Sequence, residues 1–131
     1  IAKKLVKKLI GMGKAILGAR ILVMGMTFKE NVADIRNSKV VDIINELKDF
    51  GVEVDVVDPY ADPEEVKKMY GFRLIEKPLG NYDAVVVAVA HDAYQGLDEK
   101  YFKSLTCDKA VLVDVKGMYR DKIHELKYWS L

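Results

Sequence analysis

Four short apolar runs, spaced by stretches of helical periodicity, limit what this chain can fold into. The runs cover residues 21–25, 52–57, 84–90 and 110–115. The third is almost entirely valine and alanine, the composition of a strand buried on both faces. Between the first two runs, residues 38–50 set Val40, Ile43, Ile44, Leu47 and Phe50 on one helical side. Asn37 or Ser38 can cap that helix, and Gly51 suits the position just past its end. Asp62-Pro63-Glu64-Glu65 supplies a cap, a first-turn proline and acids, a strong helix start that runs to about Tyr70 and ends at Gly71. Residues 73–75 read as a short third strand, and residues 98–105 as a further helix. Strands alternating with helices require a parallel sheet covered on both faces. The prediction is therefore an α/β fold, a doubly wound parallel sheet in three layers. The expected strand order is 3-2-1-4-5 with right-handed crossovers. In such sheets ligands bind beyond the carboxyl ends of the strands, where the order reverses. That point lies between the loop after Gly25 and the loop after Ala90, which carries His91 and Asp92.

Composition removes several classes of function. A net charge of +1 gives no global field for nucleic acid. Residues 1–20 do hold Lys3, Lys4, Lys7, Lys8, Lys14 and Arg20 with no acid. Such a surface suits a membrane or polyanion, but it also suits the solvated face of a helix, and the balanced charge elsewhere favours the latter. No apolar run is long enough to span a bilayer. Cys107 is the single cysteine, so no intrachain disulfide forms, in keeping with a reducing, cytoplasmic setting. No histidine lies near it in sequence to activate it, and it reads as a small packed residue. His91 and His124 are too far apart in sequence to suggest a metal site. Leu5, Leu9, Met12 and Ile16 recur at helical spacing from the first residues, with no cap before them. The expectation is that residues 1–19 end an upstream helical region and that residues 20–131 form the domain.

The connector after the first strand carries the chemistry. A Rossmann dinucleotide site would place G-x-G-x-x-G there. This chain has Gly25-Met26-Thr27-Phe28-Lys29-Glu30 instead, so a Rossmann-like fold lacks the usual cofactor grip. Side chains replace it. Lys29 offers a point charge for phosphate, Arg36 a planar fork, and Phe28 a surface for a base or sugar. The next helix adds the positive end of its dipole. Spacing alone leaves a second reading open, in which Lys29, Glu30, Asp34 and Arg36 pair with one another on a solvated loop.

Three segments carry a family resemblance. Residues 24–62 (MGMTFKENVADIRNSKVVDIINELKDFGVEVDVVDPYAD), 84–94 (AVVVAVAHDAY) and 111–120 (VLVDVKGMYR) resemble the C-terminal, UDP-binding domain of the UDP-glucose/GDP-mannose dehydrogenase family. The likeness extends over residues 1–124. The TFKEN and DIRNSK segments are most similar to the branch that oxidises UDP-N-acetylhexosamines. The resemblance implies an NAD-dependent 6-dehydrogenase that converts the sugar's C6 alcohol to a carboxylate, is a homo-oligomer when whole, and holds NAD mainly in an N-terminal domain. It implies that Phe28 and Lys29 line the UDP-sugar pocket, and that Arg36 reaches toward the cofactor. Lys116 stands where many relatives have an arginine on the nucleotide sugar; lysine keeps the charge and loses the fork. The resemblance assigns no catalytic residue to this chain. Nothing here matches the family's catalytic cysteine segment, and Cys107 does not inherit that role. The resemblance thus implies a UDP-sugar-binding lid that cannot catalyse alone. The alternative is a stand-alone Rossmann-like nucleotide-binding or interaction module.

Overall fold

A computed structural model describes all of residues 1–131. In chain order the elements are α1 (Ala2–Gly11), β1 (Arg20–Met24), α2 (Lys39–Asp49), β2 (Glu53–Val57), α3 (Pro63–Tyr70), β3 (Tyr82–Val87), α4 (Glu99–Leu105), β4 (Thr106–Asp114) and β5 (Lys127–Ser130). A 3-10 turn at Asp92–Tyr94 follows β3. The strands form one sheet in the order β2-β1-β3-β4-β5. Every pairing is parallel.

Alternation along the strands builds two cores. Ile21 and Val23 of β1, with Ala84 and Val86 of β3, meet Leu5 and Leu9 of α1, Ile44 and Leu47 of α2, and Val66 of α3. Leu22 and Met24, with Val85 and Val87, face the other way onto Phe102 of α4, Tyr94 and Tyr119. Each such strand residue is buried on its own face, which explains the unbroken apolar runs. Burying one of these side chains contributes about 1.5–3 kcal/mol. The doubly wound, three-layer reading holds.

Three details differ from the sequence reading. Residues 73–75 do not form a strand. Ile75 makes one ladder-like bond, its N–H to the Val56 carbonyl at 2.9 Å, and the chain then turns away through Pro78 and Gly80. The sheet instead gains β5, whose Trp129 lies opposite Val113. Ser38 occupies the N-cap position of α2 but does not cap it. Its hydroxyl donates to the Met26 carbonyl at 2.6 Å, tying helix to loop. The other helix signals act as their chemistry requires. Asp62 accepts from the Glu64 N–H, Pro63 opens α3, and Gly71 ends it in the left-handed region.

Candidate functional site

The carboxyl ends of β1, β3 and β4 open into one cleft of about 430 Å³. Thr27, Phe28 and Lys29 come from the loop after β1, Val89 from the loop after β3, and Lys116 from the turn after β4. Val40 and Ile43 of α2 give it an apolar side. Phe28 is 55 % exposed, a free aromatic face. Lys29, Lys39 and Lys116 line the cleft against one acid, Glu30, and none of the four is in an ion pair. The cleft is therefore positive. The first turn of α2, which has no side-chain cap, also borders it.

Gly25 explains how the loops come so close. Its φ is +90, and a Cβ there would sit 2.8 Å from the Cβ of Val89. The glycine that a dinucleotide motif would give to pyrophosphate here admits a neighbouring loop.

The loop after β1 is held from below by Asp58, at the end of β2. Its carboxylate accepts from the N–H groups of Met26 and Thr27 at 2.8 and 3.3 Å. The second oxygen accepts from Tyr60 and Ala61. His91 completes the clamp. The Asn31 N–H donates to its Nδ1 at 2.9 Å, so the ring proton lies on Nε2 and points at Asp58, 3.0 Å away. Both side chains are 0 % exposed. Asn31 returns the contact by accepting from the Asp92 N–H at 2.8 Å. His91 thus joins three loops and lies outside the cleft lining. Lys116 is positioned in a similar way. Asp114 accepts from the Met118 and Tyr119 N–H groups, and Tyr128 donates its hydroxyl to the same carboxylate. Tyr128 is pushed up to about 12, chiefly by burial and further by that bond.

The structure brings Phe28, Lys29 and Lys116 together and leaves Arg36 elsewhere. Arg36 lies in a separate depression with Asp34, Glu65 and Lys68. Its Nε and Nη2 donate to the two oxygens of Asp34 at 3.1 and 3.0 Å, and its side chain is 74 % exposed. Those bonds hold Asp34 down at about 2. Of the fork, Nη1 stays unengaged. Cys107 is remote from the cleft, beside Lys14 at 3.2 Å and Asp83 at 3.5 Å. No three His, Cys, Asp or Glu side chains converge as a metal site. No helix is long and apolar enough to cross a membrane.

Sequence reasoning missed the roles of Asp58 and Asp114, and it placed His91 at the crevice without finding its partner. Asp58 stands just past β2 and before Pro59, a place where an acid ends a strand without further signal, and His91 lies 33 positions away from it. The one available signal was an acid at the end of two different strands, each followed by a turn.

Comparison with known proteins places this geometry. The UDP binding domain of the UDP-glucose/GDP-mannose dehydrogenase family matches residues 22–121. UDP-N-acetyl-D-glucosamine 6-dehydrogenase of Salmonella typhi is 37 % identical over 117 residues, covering 88 % of this chain and 28 % of that protein. Protein CapL of Staphylococcus aureus is 42 % identical over 119 residues, covering 90 % of this chain and 28 % of that protein. Among solved structures, NDP-N-acetyl-D-galactosaminuronic acid dehydrogenase from Methanosarcina mazei Go1 superposes with a TM-score of 0.81 at 23 % identity. That match covers 98 % of this chain and 28 % of the other, and speaks for the fold. The chain thus spans less than a third of the length of these relatives. With its three loops converging on a positive cleft, the chain belongs to the UDP-glucose/GDP-mannose dehydrogenase family and corresponds to its UDP binding domain.

Proposed function

We propose that this chain is the substrate-binding part of an NAD-dependent UDP-sugar 6-dehydrogenase acting on a UDP-N-acetylhexosamine, in the cytoplasm and as a homo-oligomer. Residues 1–19 are the end of the preceding central region in that reading. The observation that carries it is the cleft itself: two lysines from different loops, Lys29 and Lys116, line it with no acid bound to either. A diphosphate supplies the missing counter-charge, and the uncapped start of α2 supplies backbone donors beside it. Phe28 offers a face to the uracil or sugar ring.

NAD, which accepts hydride in such a reaction, does not fit the loop after β1. Val89 fills the space at Gly25 that a pyrophosphate would need. The cofactor is held by a segment outside this chain. Arg36 is the one residue here assigned toward it, through the nitrogen that Asp34 leaves unengaged. Asp34 keeps that guanidinium oriented in the meantime.

Calorimetry of the 131-residue chain with UDP tests the reading. Saturable binding is expected, and Lys116→Ala should weaken it about tenfold or more, the value of a charge-assisted hydrogen bond. A folded chain that takes up no UDP at millimolar concentration would remove the autonomous site.

A further inference from the structure

The loop between β1 and α2 presents two of the residues that line the nucleotide cleft, yet its own backbone does little to hold it. Residues 27–31 make a single backbone–backbone hydrogen bond, from the Phe28 N–H to the Asp34 carbonyl at 2.7 Å. Phe28, Lys29 and Glu30 are exposed. Asn31, at the far end of the segment, has a φ of +61. That left-handed conformation is sparsely populated and persists where neighbours hold it.

One imidazole holds both ends. Nδ1 of His91 accepts from the Asn31 N–H at 2.9 Å. Nε2, which then carries the proton, lies 3.0 Å from Asp58 and 3.3 Å from the Thr27 hydroxyl. The Thr27 hydroxyl spends its own proton on the Lys29 carbonyl at 2.9 Å. A chain of contacts therefore runs from the His91 ring to the backbone of Lys29. The ring is buried, with the Tyr60 ring 4.6 Å away on one side and the edge of Tyr94 at 5.4 Å.

We propose that His91 is a positioning residue for the nucleotide cleft: without lining it, the imidazole ties Thr27 to Asn31 and so sets where Phe28 and Lys29 stand. The proposal rests on the UDP reading above. A lysine on a loop already ordered gives up less freedom on binding than one on a free loop. The worth of Lys29 to the ligand therefore depends on His91.

Two substitutions divide the contacts of the ring. His91→Gln keeps a donor that reaches Asp58 and gives up the acceptor for Asn31. His91→Asn keeps an acceptor at the place of Nδ1 and gives up the donor. His91→Gln should retain more of the melting temperature, yet bind UDP about tenfold more weakly than the unaltered chain. His91→Asn should melt lower and still bind UDP more tightly than His91→Gln. A residue that only supported the fold would make affinity follow stability. Lys29→Ala, added to His91→Gln, should cost less than about twofold further in affinity, the mark of two coupled positions. Affinity that follows stability across the two variants overturns the proposal, as does an undiminished effect of Lys29→Ala in His91→Gln. Imidazole nitrogen resonances of the unaltered chain should show the proton on Nε2; a proton on Nδ1 also overturns it. Failure of the unaltered chain to take up UDP overturns the proposed function instead. Amide hydrogen exchange without ligand then reads the part of the imidazole alone: Asn31 should exchange faster in His91→Gln than in His91→Asn, and equal rates overturn the proposal.

Discussion

At the amino ends of the strands both partly buried cations have anionic partners; at the carboxyl ends the cleft lysines have none. Lys14 contacts Asp83 at 2.8 Å. Arg20 reaches Asp55 at 3.6 Å, donates to the Gly80 carbonyl, and lies over the Tyr82 ring. Burial works against the Lys14 charge, yet Asp83 and Cys107 hold it above its ordinary value. Tyr82 is pushed up to about 12 by burial in the same corner. Lys29 and Lys116 are exposed and unpaired. The difference separates two uses of one residue type. A lysine satisfied by its own chain holds the fold, and one left unsatisfied beside an aromatic and a helix start is the kind that the proposed function assigns to an anion.

The carboxyl end is not free of structural charge, and that is where the contrast is most easily broken. Asp58→Ala strips the acceptor from Met26, Thr27, Tyr60, Ala61 and His91 at once. It should cost about 3–5 kcal/mol in urea unfolding, because buried donors are left unpaired. A cost below 1 kcal/mol would mean the clamp is dispensable.

A pair of lysine variants sharpens the contrast. Lys29→Ala should lower UDP affinity about tenfold and leave the melting temperature unchanged. Lys14→Ala should do the reverse, costing about 0.5–1 kcal/mol of stability for a partly solvated ion pair and nothing in affinity. Equal effects of the two variants on both readouts would dissolve the distinction between the ends.

The smallest effect concerns Asp34. Hydrogen bonds from Arg36 lower its carboxyl from 3.8 to about 2. A lowered folded value means the contribution is complete above 3.8 and is lost as the pH falls through about 2. Carboxyl carbon resonances should therefore give a midpoint near 2. In Arg36→Ala the midpoint should return toward 3.8. An unchanged midpoint in the variant would show that the pair seen here does not control the loop.

Much of this was written in local pattern. The valine-rich runs gave β1 to β4, because strands buried on both faces need no alternation. Asp62, Pro63 and Gly71 gave α3 through backbone chemistry confined to a few residues. The crevice followed from strand order, and Phe28, Lys29 and Lys116 do line it. Other features had no local signature. β5 is four residues long with only Trp129 buried, too brief to show a period. Residues 73–75 carry strand-like side chains, but their backbone forms a single ladder bond. Ser38 has the chemistry of a cap and spends it on Met26, twelve residues back. Asp58 and His91 meet across the sheet, a relation that periodicity does not encode.

Trp129 gives the molecule a clock. It is the single tryptophan, carried by the last strand, and Lys4 of the first helix sits over its ring at 4.3 Å. The two lie at opposite extremes of the chain, so their meeting closes the longest loop available and forgoes the most chain entropy. Such distant contacts form after local ones. Indole fluorescence in a refolding experiment should therefore change in the final phase, after the β1–α2–β2 unit is in place.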